Sequence, residues 1–148
     1  MKELLKSNPM YRIEYELIET IKEIRIEKGW SQEKLSEDMG LFRTFVSNCE
    51  AIKEDQKYNL RHLGILKGVF GLKSLDDFFP NGIPADEQII IRYKKVPKKK
   101  VDGTDSKLFD TVVVDIVLAQ EETKAASNKM KKNLGVQYLH INTLLFIN

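Results

Sequence analysis

Between Gln32 and Lys57 the chain carries side chains suited to binding: Gln32, Arg43, Thr44, Ser47, Asn48, Lys53 and Lys57. Their amide, hydroxyl, guanidinium and ammonium groups donate and accept hydrogen bonds. The sequence has no Gly-rich phosphate loop, no Ser/His/Asp arrangement and no carboxylate pair in a defined motif, so catalysis is not expected. Cys49 is the single cysteine, and His62 and His140 stand far apart, so no metal or other cofactor is expected. Asp102-Gly103-Thr104 superficially suggests a phosphatase motif, but lysines precede it where that motif needs an apolar strand, and it reads as a turn. The densest charge cluster is Arg92, Lys94, Lys95, Lys98, Lys99 and Lys100. It suits a nucleic-acid backbone or an acidic partner; a solvated hairpin whose lysines block edge pairing carries the same residues.

The elements that would position these groups follow from periodicity and punctuation. From about Pro9 to Lys28, Leu17, Ile21 and Ile24 recur at helical spacing with Ile13 and Ile18 beside them, and glutamates fill the other face. Gly29 stops that helix and Ser31 caps the next, which buries Leu35 and Met39 and ends at Gly40. Small Ser36 lets another helix approach. A third helix is predicted from Phe42 or Arg43 to Ala51, with Val46 and Cys49 inward. Two short helices joined at a tight turn, the second bearing small and polar residues, have the layout of a helix-turn-helix. Leu60, Leu63, Leu66 and Phe70 predict a fourth helix, and Ser74 to Phe79 a short fifth one before Pro80.

Past the Pro-Gly segment the period changes from helical to two-residue. Ile89, Ile91 and Tyr93 alternate with Ile90, Arg92 and Lys94, and Val112, Val114, Ile116 and Leu118 share one predicted strand face. Residues 119–133 read as a polar helix and Gly135 to Ile147 as strand-like. The expected fold is therefore a mainly α, five-helix helix-turn-helix domain at residues 10–80, a linker at 81–87, and a smaller β or α/β extension at 88–148.

The 148-residue length, 42% hydrophobic and 31% charged content suit a globular chain and argue against disorder. No apolar run reaches the ~20 residues of a membrane span, no signal-peptide core opens the chain, and one cysteine fits a reducing cytosol. A cytoplasmic location follows as an expectation. Net charge is only +2, and residues 1–80 hold 13 basic against 14 acidic side chains. Any DNA affinity must therefore come from where charges are placed.

Glu23 to Pro80 resembles the DNA-binding domain of the Xre/lambda-repressor-like helix-turn-helix family. The resemblance rests on Ile24-Arg25, Gly29-Trp30-Ser31-Gln32-Glu33-Lys34-Leu35, Met39-Gly40, Val46-Ser47, Glu50 and Leu75-Asp76-Asp77-Phe78-Phe79. It implies five helices, major-groove binding by the third, frequent dimerisation on palindromic sites, and transcriptional regulation or an antitoxin role. Carried onto this chain, the base-reading positions are Arg43, Thr44 and Asn48, and Gln32 touches phosphate. Arg pairs with guanine, Asn with adenine, and Thr offers a methyl or hydroxyl. Ser47 faces either groove or backbone, and Lys53 and Lys57 could grip phosphates, although a solvated loop carries the same residues. Phe45 packs inside the fold or meets a thymine methyl. Phe42 stands where the family usually caps helix three with Ser or Thr, Ile52 where it often has Gly, and Gly64 lies inside helix four. The expected partners are double-stranded DNA and a second copy of the chain. The alternative is an antitoxin or adaptor that binds a protein such as a toxin, motivated by the acidic first helix and Leu144-Leu145-Phe146-Ile147.

Overall fold

The computed structural model of the protein describes residues 3 to 145, with side chains described from 3 to 135. Two short strands open it, β1 (Leu5–Lys6) and β2 (Met10–Tyr11), followed by helices α1 (Arg12–Glu27), α2 (Gln32–Asp38), α3 (Phe45–Glu50) and α4 (Leu60–Phe70). A 3-10 turn, Leu75–Phe78, leads to the long strands β3 (Gln88–Lys99) and β4 (Asp105–Leu118), and α5 spans Ala119–Leu145. Among the described residues the architecture is thus five α-helices and a four-stranded antiparallel sheet, whose two short strands open the chain and whose two long strands lie between α4 and the C-terminal α5. It is not the mainly α five-helix domain with a β appendage that the sequence predicts.

Three local differences produce that correction. The expected fifth helix is one 3-10 turn: Ser74 Oγ caps it, accepting from the Asp76 amide at 3.2 Å. Pro80 then disfavours helical backbone at Phe79, which sits at φ −130°, ψ 69°. The first helix starts at Arg12 because Met10 and Tyr11 pair with Ile89 and Gln88. Gly135 to Leu145 continues α5, since good helix formers upstream propagate the helix through a short apolar run whose period alone is ambiguous. Phe146 and Ile147 lie outside the described residues.

Strand β3 is the centre of the sheet. Ile89 pairs with Met10 on one edge and Leu118 on the other, and Tyr93 likewise joins Leu5 and Val113. β1 and β2 therefore lie end to end along one edge, interrupted at Ser7. There the buried Ser7 Oγ accepts the Ile91 amide at 2.9 Å in place of a carbonyl, so the ladder loses no hydrogen bond. A bulge sets Arg92 opposite Asp115 but Tyr93 opposite Val113 and leaves Val114 unpaired on β3. The bulge breaks the expected Val112–Leu118 alternation: Ile116 and Leu118 pack on the core, while Val112 falls opposite Lys94.

The helices enclose a core centred on Ile21, Leu35, Val46, Leu66 and Phe78, each fully buried. Leu60 is 76% exposed, so α4 does not present it inward with Leu63, Leu66 and Phe70. His62 is buried in its place and faces the Phe45 ring at 4.6 Å. A smaller apolar cluster of Met10, Ile89 and Ile91, flanked by Tyr15 and Ile52, joins the sheet to α1 and the end of α3.

Candidate nucleic-acid interface

The α2–α3 pair is built by short polar links between its helices. Ser31 Oγ accepts the Lys34 amide at 3.0 Å and starts α2. Gly40, at φ +69°, supplies the left-handed residue that ends it, and the Leu41 amide reaches back to the Ser36 carbonyl at 3.0 Å. Ser36 is fully buried: its hydroxyl donates to the Gln32 carbonyl and accepts the Val46 amide, both at 3.0 Å. One small residue therefore sets how closely the helices approach and satisfies an amide at the start of α3. Ser36→Ala leaves the buried Val46 amide unpaired and should cost about 1–3 kcal/mol, read as a lower midpoint in urea denaturation.

Phe45, Val46 and Cys49 form the inward face of α3. Phe45 is core, with the Tyr58 and His62 rings packed edge-on to it. Burial pushes the Cys49 thiol up to about 12, so it stays protonated beneath the helix. Phe42 is the exposed aromatic instead, 57% accessible and edge-on to Phe45 at 5.5 Å.

Helix α3 starts later than predicted, because the Phe45 amide bonds to the Phe42 carbonyl at 2.9 Å and closes a turn first. Arg43 and Thr44 thus sit in that turn, exposed, with Thr44 as N-cap residue and making no side-chain cap hydrogen bond. Ser47 and Asn48 follow on the half-exposed face of α3, and Ser47 Oγ donates to the Thr44 carbonyl at 2.9 Å. Arg43 contacts Glu33 across the turn at 2.6 Å, with 72% of its side chain accessible. An exposed pair of this kind is screened by solvent and weaker than a bidentate guanine contact, so the guanidinium can leave it.

Gln32 opens α2, and its Nε2 donates to Glu50 Oε2 at 2.6 Å. Glu50 also receives Arg25 through Nε and Nη2, both at 2.8 Å, and Arg25 Nη1 donates to the Trp30 carbonyl at 2.8 Å. This buried fork ties the end of α1, the start of α2 and the end of α3 together. The structure therefore gathers Gln32, Arg43, Thr44, Ser47 and Asn48 on the α2–turn–α3 unit. Lys53 is exposed in the loop after α3, whereas Lys57 turns into that loop and donates to the Glu54 and Gln56 carbonyls at 3.2 and 3.4 Å. Glu33 and Glu50, which restrain Arg43 and Gln32, are partners the sequence reading missed; contacts across a turn leave no mark in helical spacing.

The basic run of β3 is partly neutralised within the ribbon. Arg92 pairs with Asp115 and Glu122, Lys98 with Asp110, and Lys99 with Asp105. Trp30 stacks on Phe70 of α4 at 6.0 Å, with the Lys28 and Lys34 ammonium groups over its ring.

A separate groove of about 240 Å³ runs along α1 beside the 3-10 turn, lined by Tyr15, Glu16, Glu19, Glu23 and Phe79. Burial raises the Glu19 carboxyl above its ordinary value; Lys22 opposes the shift and Glu23 and Glu50 add to it. Because folding favours protonated Glu19, its contribution is fully present below the unfolded value and is lost as pH rises through the folded one. Glu19→Gln should accordingly raise the melting temperature near pH ~7, and that gain should vanish near pH ~3.

No protein-family model matches the chain, and no curated protein matches it. Among solved structures, the chain is similar to a hypothetical transcription factor, NHTF, from Neisseria, at 27% identity and a TM-score of 0.39, covering 45% of this chain and 72% of that one. No helix among the described residues is long and apolar enough to cross a membrane, and no group of three or more His, Cys, Asp or Glu among them is placed to hold a metal ion.

Proposed function

We propose that this protein is a sequence-specific DNA-binding regulator of transcription, of the Xre/lambda-repressor-like kind, that acts without catalysis and places α3 in the major groove. The observation that carries the reading is the α2–turn–α3 unit: its inner side is locked by Ser36 and Glu50, and its outer side presents Arg43, Thr44, Ser47 and Asn48. A rigid scaffold that leaves hydrogen-bonding side chains at the surface is what base readout requires. Arg43 reads guanine, Asn48 adenine, Thr44 and Ser47 contact base edge or backbone, and Gln32 and Lys53 hold phosphates. One such unit buries a limited area on DNA, so two copies acting on a palindromic site complete the interface.

Selection from randomised duplexes at low salt tests the proposal. Enrichment of a defined motif with dyad symmetry is expected. Folded protein that enriches no sequence would refute it.

A further inference from the structure

Helix α4 begins with a reciprocal cap in which a histidine takes the place usually given to Glu or Gln. Asn59 Oδ1 accepts the His62 amide and His62 Nδ1 accepts the Asn59 amide, both at 3.0 Å. A ring nitrogen that accepts is bare, so the imidazole is neutral with its proton on Nε2. The same side chain, only 7% exposed, packs against Phe45, the first residue of α3, with 4.6 Å between ring centroids. His62 therefore joins the start of α4 to the start of α3, beside Arg43 and Thr44.

The surroundings of that ring all oppose a positive charge. A proton on Nδ1 would set a donor against the Asn59 N–H and break the cap. The first turn of a helix lies at the positive end of its dipole, where a cation is disfavoured. Arg61 stands beside His62 on α4, and the facing residue from α3 is the apolar Phe45. From the preceding loop Tyr58 faces it, with a hydroxyl that burial keeps protonated. Among the described residues no carboxylate pairs with His62 to offset a charge. Burial, and after it the Arg61 charge, holds the imidazole below its ordinary value.

We propose that His62 is a proton-released latch: neutral, it holds the start of α3 against the capped end of α4, and protonated, it lets both go. Its control over DNA binding rests on the proposed function; the latch itself does not. The folded chain binds this proton more weakly than the unfolded one. The stabilisation is therefore complete above the unfolded value and is lost as pH falls through the folded one. Glu19 titrates with the opposite sign, so the comparison needs a variant that keeps Glu19 and removes only the imidazole. His62→Gln does so, because Gln at this position supplies a capping acceptor that does not titrate.

Heteronuclear spectra of the full chain, resolving both imidazole nitrogens of His62 from pH ~8 to ~5, test the latch. Nδ1 should be bare at pH ~7, and the midpoint should fall below the ordinary histidine value. The Thr44, Phe45 and Asn59 amides should move with that midpoint, and in His62→Gln they should not. A midpoint at or above the ordinary value, or Thr44 and Phe45 amides that do not follow it, would overturn the proposal. The unmodified chain decides this even where His62→Gln fails to fold. Affinity for a selected duplex should then fall as His62 is protonated, and fall less in His62→Gln. Equal losses in the two proteins refute the control over binding. A chain whose latch titrates as expected but that selects no duplex refutes only the proposed function.

Discussion

Glu50→Ala should destabilise the protein by about 3–5 kcal/mol, the loss typical of removing one partner from a buried ion pair. Only 4% of the Glu50 side chain and 10% of the Arg25 side chain are accessible, so the stranded guanidinium could not recover its hydration without local opening. The same change frees Gln32 from its 2.6 Å contact and loosens the joint between α1, α2 and α3. A double change, Arg25→Met with Glu50→Leu, should recover much of the loss, because two apolar side chains carry no desolvation penalty. Chemical denaturation measures both. A single-variant loss below about 1 kcal/mol would show that the fork contributes no more than an exposed pair does.

Arg43→Ala should leave stability nearly unchanged and weaken binding to the selected duplex by about 1–3 kcal/mol, roughly 5- to 150-fold. The loss should fall on one base pair of each half-site, where discrimination between bases relaxes. Lys53→Ala gives the contrasting signature: binding weakens evenly across sequences and the salt dependence falls by about one unit of slope. Anisotropy titrations over a salt series separate the two. Equal weakening by Arg43→Ala on specific and random duplexes would make Arg43 a phosphate contact.

The helical punctuation was legible because it is local. Ser31, Gly29 and Gly40 act on their own turns, and the two glycines hold φ of 70° and 69°, which other residues adopt at a cost. Strands β1 and β2 were not legible, since two-residue strands exist only through partners far along the chain, Tyr93 for Leu5 and Ile89 for Met10. That non-local pairing is one reason the five-helix reading failed; the 3-10 turn before Pro80 and the continuation of α5 through Gly135 are the others. At the candidate site the residue types could be read, but not their restraints. Helical spacing shows that Val46 and Cys49 face inward; it cannot show that Glu33 holds Arg43 or that Lys57 bends onto its own loop. Nor does it tell Phe42 from Phe45, which stand three residues apart and so share a helical face, and differ in which of them reaches Tyr58 and His62.

The central claim, that the α2–α3 unit meets DNA, is tested most directly by following backbone amide shifts while a selected duplex is titrated in. The account predicts the largest changes at Gln32, Arg43, Thr44, Ser47, Asn48 and Lys53, with Glu16 and Glu23 of the acidic groove unmoved. Changes centred on Lys94 to Lys100, with the α2–α3 amides silent, would contradict it.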